Sequence, residues 1–227
     1  MVNGHLSTKQ FHEWGYLSVV QTSPRINDLD DNLEQIELAL HSLKPSENRL
    51  VVFPEMATTG YFFDSREQLR RSAELIPEGP TTQALISLAE AYQTHLVVGL
   101  PELEGRKIFN SAVIVGPEGY ITKYRKLHLW SEEKLLFDSG DLGMIVADLP
   151  FARVGIMICY DLWFPEQIRI LSLMGSDVIA VPAALVWNDT PAHIKRGYYM
   201  ANYVGMTAAH LNQVYMALAS QVGHYGD

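Results

Sequence analysis

Four side chains in this sequence have the chemistry of a nucleophile, a base, an electrophile and a further carboxylate. Cys159, the only cysteine among 227 residues, lies in GIMICYDLWFPE, where an apolar run gives way to a polar segment marked by proline. A thiol at the carboxyl end of a strand, just ahead of a helix, sits where open α/β sheets bind ligands. Backbone N–H groups at such a turn lower a thiol pKa and can hold an oxyanion. Free cysteine is also among the most buried residue types, so position alone leaves an inert core thiol open. Glu55, in VVFPEMATTGY, follows an apolar strand-like run and a proline. A carboxylate there is costly unless it has a partner or a task, and desolvation would raise its pKa toward that of a useful base. An N-cap or an exposed turn is the plainer reading. Lys126 ends KYRK, the one compact basic cluster, and could stabilise a tetrahedral oxyanion or simply be solvated. Glu133, in WSEEKLLFDSG, resembles an ordinary exposed turn.

The elements that must position these residues follow from periodicity. YLSVV at 16–20 and RLVVF at 49–53 read as strands, and Leu29, Leu33, Ile36, Leu40 and Leu43 share one face of a helix between them. TTQALISLAEAYQ predicts a helix capped by Thr, and HLVVGL a strand ended by Pro101. NSAVIVGPEGYITKYRK predicts a hairpin. Arg153–Cys159 predicts a strand, 166–174 a helix, 177–181 a strand ended by Pro182, 192–209 a helix and 214–219 a strand. Strands alternating with helices imply mainly parallel pairing with helices on the sheet faces, and the hairpin makes the sheet mixed. No linker or repeat interrupts 1–227, so one domain is expected, with 1–15 as an N-terminal extension.

Composition removes several alternatives. Net charge is −9 and the basic residues are dispersed, which argues against a nucleic-acid partner. One cysteine and eight scattered histidines give no zinc spacing, and no glycine-rich phosphate loop occurs, so no metal and no organic cofactor is expected. No run approaches the roughly 18 apolar residues of a membrane span, and the N-terminus lacks a leader pattern. A chain without an intramolecular disulfide suits a reducing cytosol, so a soluble, cytoplasmic protein is expected.

Taken together and in order, FPE at 53–55, YRK at 124–126 followed by HLW, and ICYDLWFPE at 158–166 resemble the nitrilase superfamily of carbon-nitrogen hydrolases. The resemblance runs from about Tyr16 to Gly223. It implies an α/β fold, a four-layer αββα sandwich with mixed sheets. It also implies a Glu-Lys-Cys triad with Glu55 as general base, Lys126 as oxyanion stabiliser and Cys159 as nucleophile. Glu133 matches the family's second glutamate better than Glu132, because it precedes KLLF and a glycine. The backbone N–H of Tyr160 would be the second oxyanion donor, and Tyr61, Trp163 and Trp187 would wall the substrate pocket, although each could equally be core. The implied activity is hydrolysis of a non-peptide carbon–nitrogen bond in a small amide, through a thioester and with release of ammonia. Tyr160-Asp161 after the cysteine, with FPE downstream, in place of the Trp-Glu usual in true nitrilases, resembles the amidase and carbamoylase branches and favours an amide or N-carbamoyl substrate over a nitrile. An N-carbamoyl amine hydrolase, a nitrilase and a non-catalytic binding homologue are the alternatives. The family implies a homodimer or higher homo-oligomer. Relatives continue a few tens of residues past the strand matching VYMALASQVG, whereas this chain stops at HYGD. A missing C-terminal part, with an exposed sheet edge, is therefore expected.

Overall fold

Side chains alternate across each strand, and here the alternation sorts the interior into three apolar layers. The computed structural model describes residues 16–43, 50–185 and 200–223. One sheet has the order β1 (Leu17–Val19), β2 (Leu50–Val52), β3 (His95–Glu104), β4 (Lys107–Gly116) and β5 (Gly119–Arg125). The pairs β1–β2 and β2–β3 are parallel, whereas β3–β4 and β4–β5 are antiparallel. The second sheet runs β6 (Ile145–Asp148), β7 (Arg153–Ile156), β8 (Val178–Ala183) and β9 (Tyr215–Ser220). Its first pair is antiparallel and the other two are parallel.

Between the sheets lie Leu50, Val52, Val97, Ala112, Ile114 and Tyr124 from the first, packed against Val154, Ile156, Val178, Ala180, Ala217 and Ala219 from the second. The opposite faces carry the neighbouring residues of the same strands. Val51, Leu96, Val98, Val113 and Val115 pack on Ile36 and Leu40 of α1 (Leu29–Ser42) and on Leu85 and Ala89 of α3 (Pro80–Ala91). Ile179 and Val181 pack on Ile168 and Leu171 of α5 (Pro165–Leu173) and on Ala201 of α6 (Met200–Asn212). Short helices α2 (Arg66–Ser72) and α4 (Glu133–Leu136) lie in the connections. The result is the expected four-layer αββα sandwich with mixed sheets, in which the segments leaving β2, β5 and β7 carry Glu55, Lys126 and Cys159. Among the described residues, no helix is long and apolar enough to cross a membrane.

Several local expectations are corrected. Pro101 and Pro182 do not end their strands, since β3 continues to Glu104 and β8 to Ala183. Each proline turns its missing N–H toward a neighbour that has already ended: Pro101 toward the side of β2, which stops at Val52, and Pro182 toward β7, which stops at Ile156. A proline so placed removes no ladder bond. Helix α3 begins at Pro80 after Gly79, with no threonine side-chain cap. The Glu74 carboxylate accepts instead from the N–H groups of Thr81 (2.9 Å) and Thr82 (2.8 Å), which are already inside the first turn. The strand predicted over Arg153–Cys159 stops at Ile156. Strand β6 and the tight β3–β4 hairpin were not legible as separate elements. In the predicted 192–209 helix, residues 192–199 lie outside the described residues, and the helix is described from Met200.

Candidate active site

Glu55 is held by the strand it follows. Beyond β2 the Phe53 N–H donates to the Val97 carbonyl (2.8 Å), Gly99 N–H to the Pro54 carbonyl (3.1 Å) and Ala57 N–H to the Gly99 carbonyl (2.9 Å), so the FPEM turn stays stitched to β3. Gly99 makes this approach feasible: a Cβ there would lie 2.6 Å from the Glu55 Cα and 2.7 Å from the Met56 nitrogen. Gln221, just past β9, donates from Nε2 to the Glu55 carbonyl (2.7 Å) and ties the turn to the second sheet. The carboxylate is fully buried.

Lys126 leaves the end of β5 with its N–H on the Asn110 carbonyl (2.8 Å) and its own carbonyl accepting from Gly140 (2.9 Å). Its ammonium, 1% exposed, donates to Glu55 Oε1 (2.7 Å) and to both oxygens of Glu133 (2.8 Å each). Glu133 is buried at the start of α4, whereas Glu132 is exposed, so helix phase distinguishes the two adjacent glutamates. The Trp130 N–H adds a bond to Glu133 Oε2 (2.5 Å). Asn110 of β4 donates from Nδ2 to Glu55 Oε1 (2.6 Å) and to Glu133 Oε1 (2.9 Å).

Cys159 is presented by a 3-10 turn, Cys159–Trp163, and has φ +47°, a left-handed conformation that costs a side-chain-bearing residue about 1–3 kcal/mol. The turn is clamped from below. Asp161 N–H donates to the Ile158 carbonyl (3.0 Å), and the Asp161 carboxylate accepts from the Ile158 N–H (2.9 Å), closing a ring around residues 159 and 160. The same buried carboxylate accepts from the Tyr124 hydroxyl (2.8 Å) and the His128 N–H (3.0 Å), and its Oδ1 lies 2.7 Å from His128 Nδ1. Asp161 therefore couples the cysteine turn to the segments on either side of Lys126. His128 in turn stacks on Phe164, 3.5 Å between ring centres.

The electrostatics follow from burial around an uneven charge count. Burial pushes the Glu55 carboxyl up, as does the charge of Glu133, while Lys126 opposes the shift. Burial and the Glu55 charge also push the Cys159 thiol well up, against the pull of Lys126. The lowered thiol pKa expected from a helix N-terminus is thus overturned: desolvation and a facing carboxylate outweigh the few N–H dipoles of a short turn. Burial alone would lower Lys126, but the negative groups around it outweigh burial and hold its ammonium well above the ordinary lysine range. The resting arrangement is a neutral thiol beside a carboxylate that attracts protons. Such a pair can pass one proton from sulfur to oxygen when an electrophile arrives.

The structure thus brings Glu55, Lys126, Glu133 and Cys159 together. Tyr61 is buried beside them, its hydroxyl held protonated by burial and by the charges of Glu55 and Glu133. The Tyr160 N–H lies in the first turn of the 3-10 segment, where N–H groups have no partner within the turn. Trp163 ends that turn at 38% exposure, and Trp187 lies outside the described residues. Asn110 and the clamp formed by Asp161 were missed by sequence reasoning. The available signal was an Asn-Ser pair inside the otherwise apolar run KIFNSAVIV, since a buried amide demands partners.

A buried thiol facing a carboxylate, with an ammonium wedged between that carboxylate and a second one at the start of α4, has the equipment for thiol-based acyl transfer. Comparison with known proteins gives the family. The family described as Carbon-nitrogen hydrolase matches residues 16–227. A relative named nitrilase, from Pyrococcus abyssi, is 45% identical over 175 residues, covering 77% of this chain and 67% of its own length. An (R)-stereoselective amidase from Pseudomonas is 32% identical over 207 residues, 91% of this chain and 71% of that one. The solved structure of Saccharomyces cerevisiae Nit3, described as a member of branch 10 of the nitrilase superfamily, superposes with a TM-score of 0.77 at 28% identity, over 93% of this chain and 77% of that one. The chain belongs to the carbon-nitrogen hydrolases, the nitrilase superfamily.

Proposed function

We propose that the protein hydrolyses the carbon–nitrogen bond of a small amide through a thioester on Cys159. The observation that carries this reading is the meeting of Cys159 with Glu55 and Lys126, where Glu55 Oε2 is buried and takes no N–H donor while Oε1 is held by two. As Sγ attacks the carbonyl carbon, its proton passes to Glu55 Oε2. The developing oxyanion is taken by the Tyr160 N–H and by Lys126, which exchanges one of its two contacts to Glu133. Loss of one such donor typically costs about 3 kcal/mol of transition-state stabilisation. Collapse breaks the carbon–nitrogen bond, and Glu55 returns the proton to the departing nitrogen, releasing ammonia from a primary amide. Water then attacks the thioester carbonyl, Glu55 takes its proton and passes it to the leaving sulfur, and the carboxylic acid departs. Tyr61, close to Glu55 and Glu133, would border the substrate, with Trp163 at the mouth of the site.

The name of the Pseudomonas relative supports an amide, as does Asp161 after the cysteine. One observation favours a nitrile instead: the name of the Pyrococcus abyssi relative. A panel of small amides, N-carbamoyl amines and nitriles, assayed for ammonia and carbon dioxide, separates the readings. Ammonia without carbon dioxide from amides, lost in Cys159→Ala and Glu55→Gln, is expected. Ammonia from nitriles alone would replace the amide reading, and amide turnover by Cys159→Ala would overturn the thioester route.

A further inference from the structure

We infer that Asn110 is a positioning residue that confines the travelling proton of the site to a single oxygen, Oε2 of Glu55. The inference rests on the thiol-hydrolase reading above. Four carboxylate oxygens, two each from Glu55 and Glu133, compete for that proton, and the surrounding donors decide among them. The two amide hydrogens of Asn110 go to Glu55 Oε1 (2.6 Å) and Glu133 Oε1 (2.9 Å). The ammonium of Lys126 reaches Glu55 Oε1 (2.7 Å), Glu133 Oε1 (2.8 Å) and Glu133 Oε2 (2.8 Å), and the Trp130 N–H reaches Glu133 Oε2 (2.5 Å). Amide, ammonium and backbone N–H groups have no lone pair to receive a hydrogen bond. A proton on Glu55 Oε1 would therefore point at a donor, and although the Tyr61 hydroxyl also reaches Glu133, each oxygen of that carboxylate already takes two N–H donors. The fourth oxygen, Glu55 Oε2, is buried and takes no N–H donor. It belongs to the carboxyl that faces the Cys159 thiol.

Asn110 is what makes the assignment unambiguous. It is 1% exposed, and its Oδ1 is buried without a partner, so the amide is oriented entirely by its two donated bonds. Turned over, Oδ1 would face two carboxylates. Without the amide, Oε1 of Glu55 would keep only Lys126, the carboxyl could rotate, and the proton would have two resting places instead of one. Donors to the ionised form also favour ionisation, and the Asn110 bond acts in that direction on Glu55.

The test needs no knowledge of the natural substrate. The rate at which iodoacetamide alkylates Cys159 in the full chain is measured from pH 4 to 10 by intact mass, for the native protein, Asn110→Leu and the smaller Asn110→Ser. Loss of the amide is expected to move the acid limb upward by about one pH unit and so to slow alkylation by about tenfold at pH values below the native limb. For any amide the protein turns over, kcat should fall with KM little changed. A merely structural Asn110 would lower thermal stability and leave the acid limb in place, and that result overturns the inference. Glu55→Gln and Glu133→Gln give a second check that keeps Asn110 intact. The limb should vanish in the first and persist in the second, and a limb that survives Glu55→Gln also overturns the inference. Alkylation that follows this pattern with no hydrolysis of any amide, carbamoyl amine or nitrile would sink the functional reading and leave the proton assignment standing.

Discussion

Replacing Asp161 with asparagine keeps the shape of the side chain and removes half of its acceptor capacity. The carboxylate is fully buried and meets four polar groups: the Ile158 N–H and Tyr124 hydroxyl at Oδ2, and the His128 N–H and Nδ1 at Oδ1. An asparagine has one acceptor oxygen. With that oxygen on Ile158 and Tyr124, the new amide hydrogens meet His128, whose Nδ1 can become an acceptor but whose backbone N–H cannot. The opposite orientation sets them against the Ile158 N–H, and against a Tyr124 hydroxyl that already accepts from Gln167 (2.8 Å) and Leu127 (3.2 Å). The first orientation loses less and leaves the part-buried His128 N–H unpaired, at up to about 1–3 kcal/mol, with a further loss of charge assistance in the surviving bonds. Asp161→Asn should therefore destabilise the protein by about 2–4 kcal/mol in urea unfolding near neutral pH. Because the clamp ties the strained Cys159 turn to the Lys126 segment, kcat should also fall, by up to about 100-fold for a displacement near 1 Å. A stability change below about 0.5 kcal/mol, the range of ordinary surface substitutions, would refute this account of how the cysteine turn is held.

Gly99→Ala would drive a methyl group to 2.6–2.7 Å from backbone atoms of the Glu55 turn, where no flexible side chain can yield. It should cost about 1–3 kcal/mol and slow Cys159 alkylation, and a variant with native alkylation and melting temperature would contradict the packing argument. Glu102→Gln would strip the buried Arg125 of its central partner, which also binds Lys123 (2.6 Å) and the Ser111 hydroxyl (2.7 Å). The cost should be about 3 kcal/mol near neutrality, toward the low end because Glu104 and Asp141 still face the guanidinium. Burial alone would raise the Glu102 carboxyl, but hydrogen bonds from Arg125, Lys123 and Ser111 outweigh it and hold it below its ordinary value of 4.5. A depressed folded pKa contributes stability above 4.5 that is lost as pH falls through the folded value. The gap between native and Glu102→Gln proteins should thus narrow between pH 7 and pH 3 in urea titrations, and a gap that widened in acid would refute the assignment.

The residues most legible in the sequence were those that directly follow an apolar run. Glu55, Lys126 and Cys159 each come at or just beyond the end of a strand, and the parallel topology gathers such positions at one edge. What escaped depended on geometry beyond periodicity. Glu133 was singled out over Glu132 by the family resemblance alone, because the residue pattern could not separate the cap from the first residue of a helix only four residues long. Asn110 is one polar residue in an apolar strand, and nothing local reveals that it faces two carboxylates contributed by distant segments. Asp161 was legible as a family marker but not as a clamp, because its partners Tyr124 and His128 come from another part of the chain. Pro101 and Pro182 misled because the direction of a missing N–H depends on where the neighbouring strand stops. The thiol pKa was misjudged for a related reason: burial and the Glu55 charge are tertiary facts, and they outweigh the local dipoles of the turn.

The most direct test of the central claim is the mass of Cys159 during turnover. The full chain, mixed with a small amide that it hydrolyses and quenched in acid within the first turnovers, should carry the acyl half of the substrate on the peptide containing Cys159. That adduct should be absent in Cys159→Ala, together with ammonia release. Hydrolysis that proceeds with Cys159 unmodified, and that survives Cys159→Ala, would contradict the account at its root.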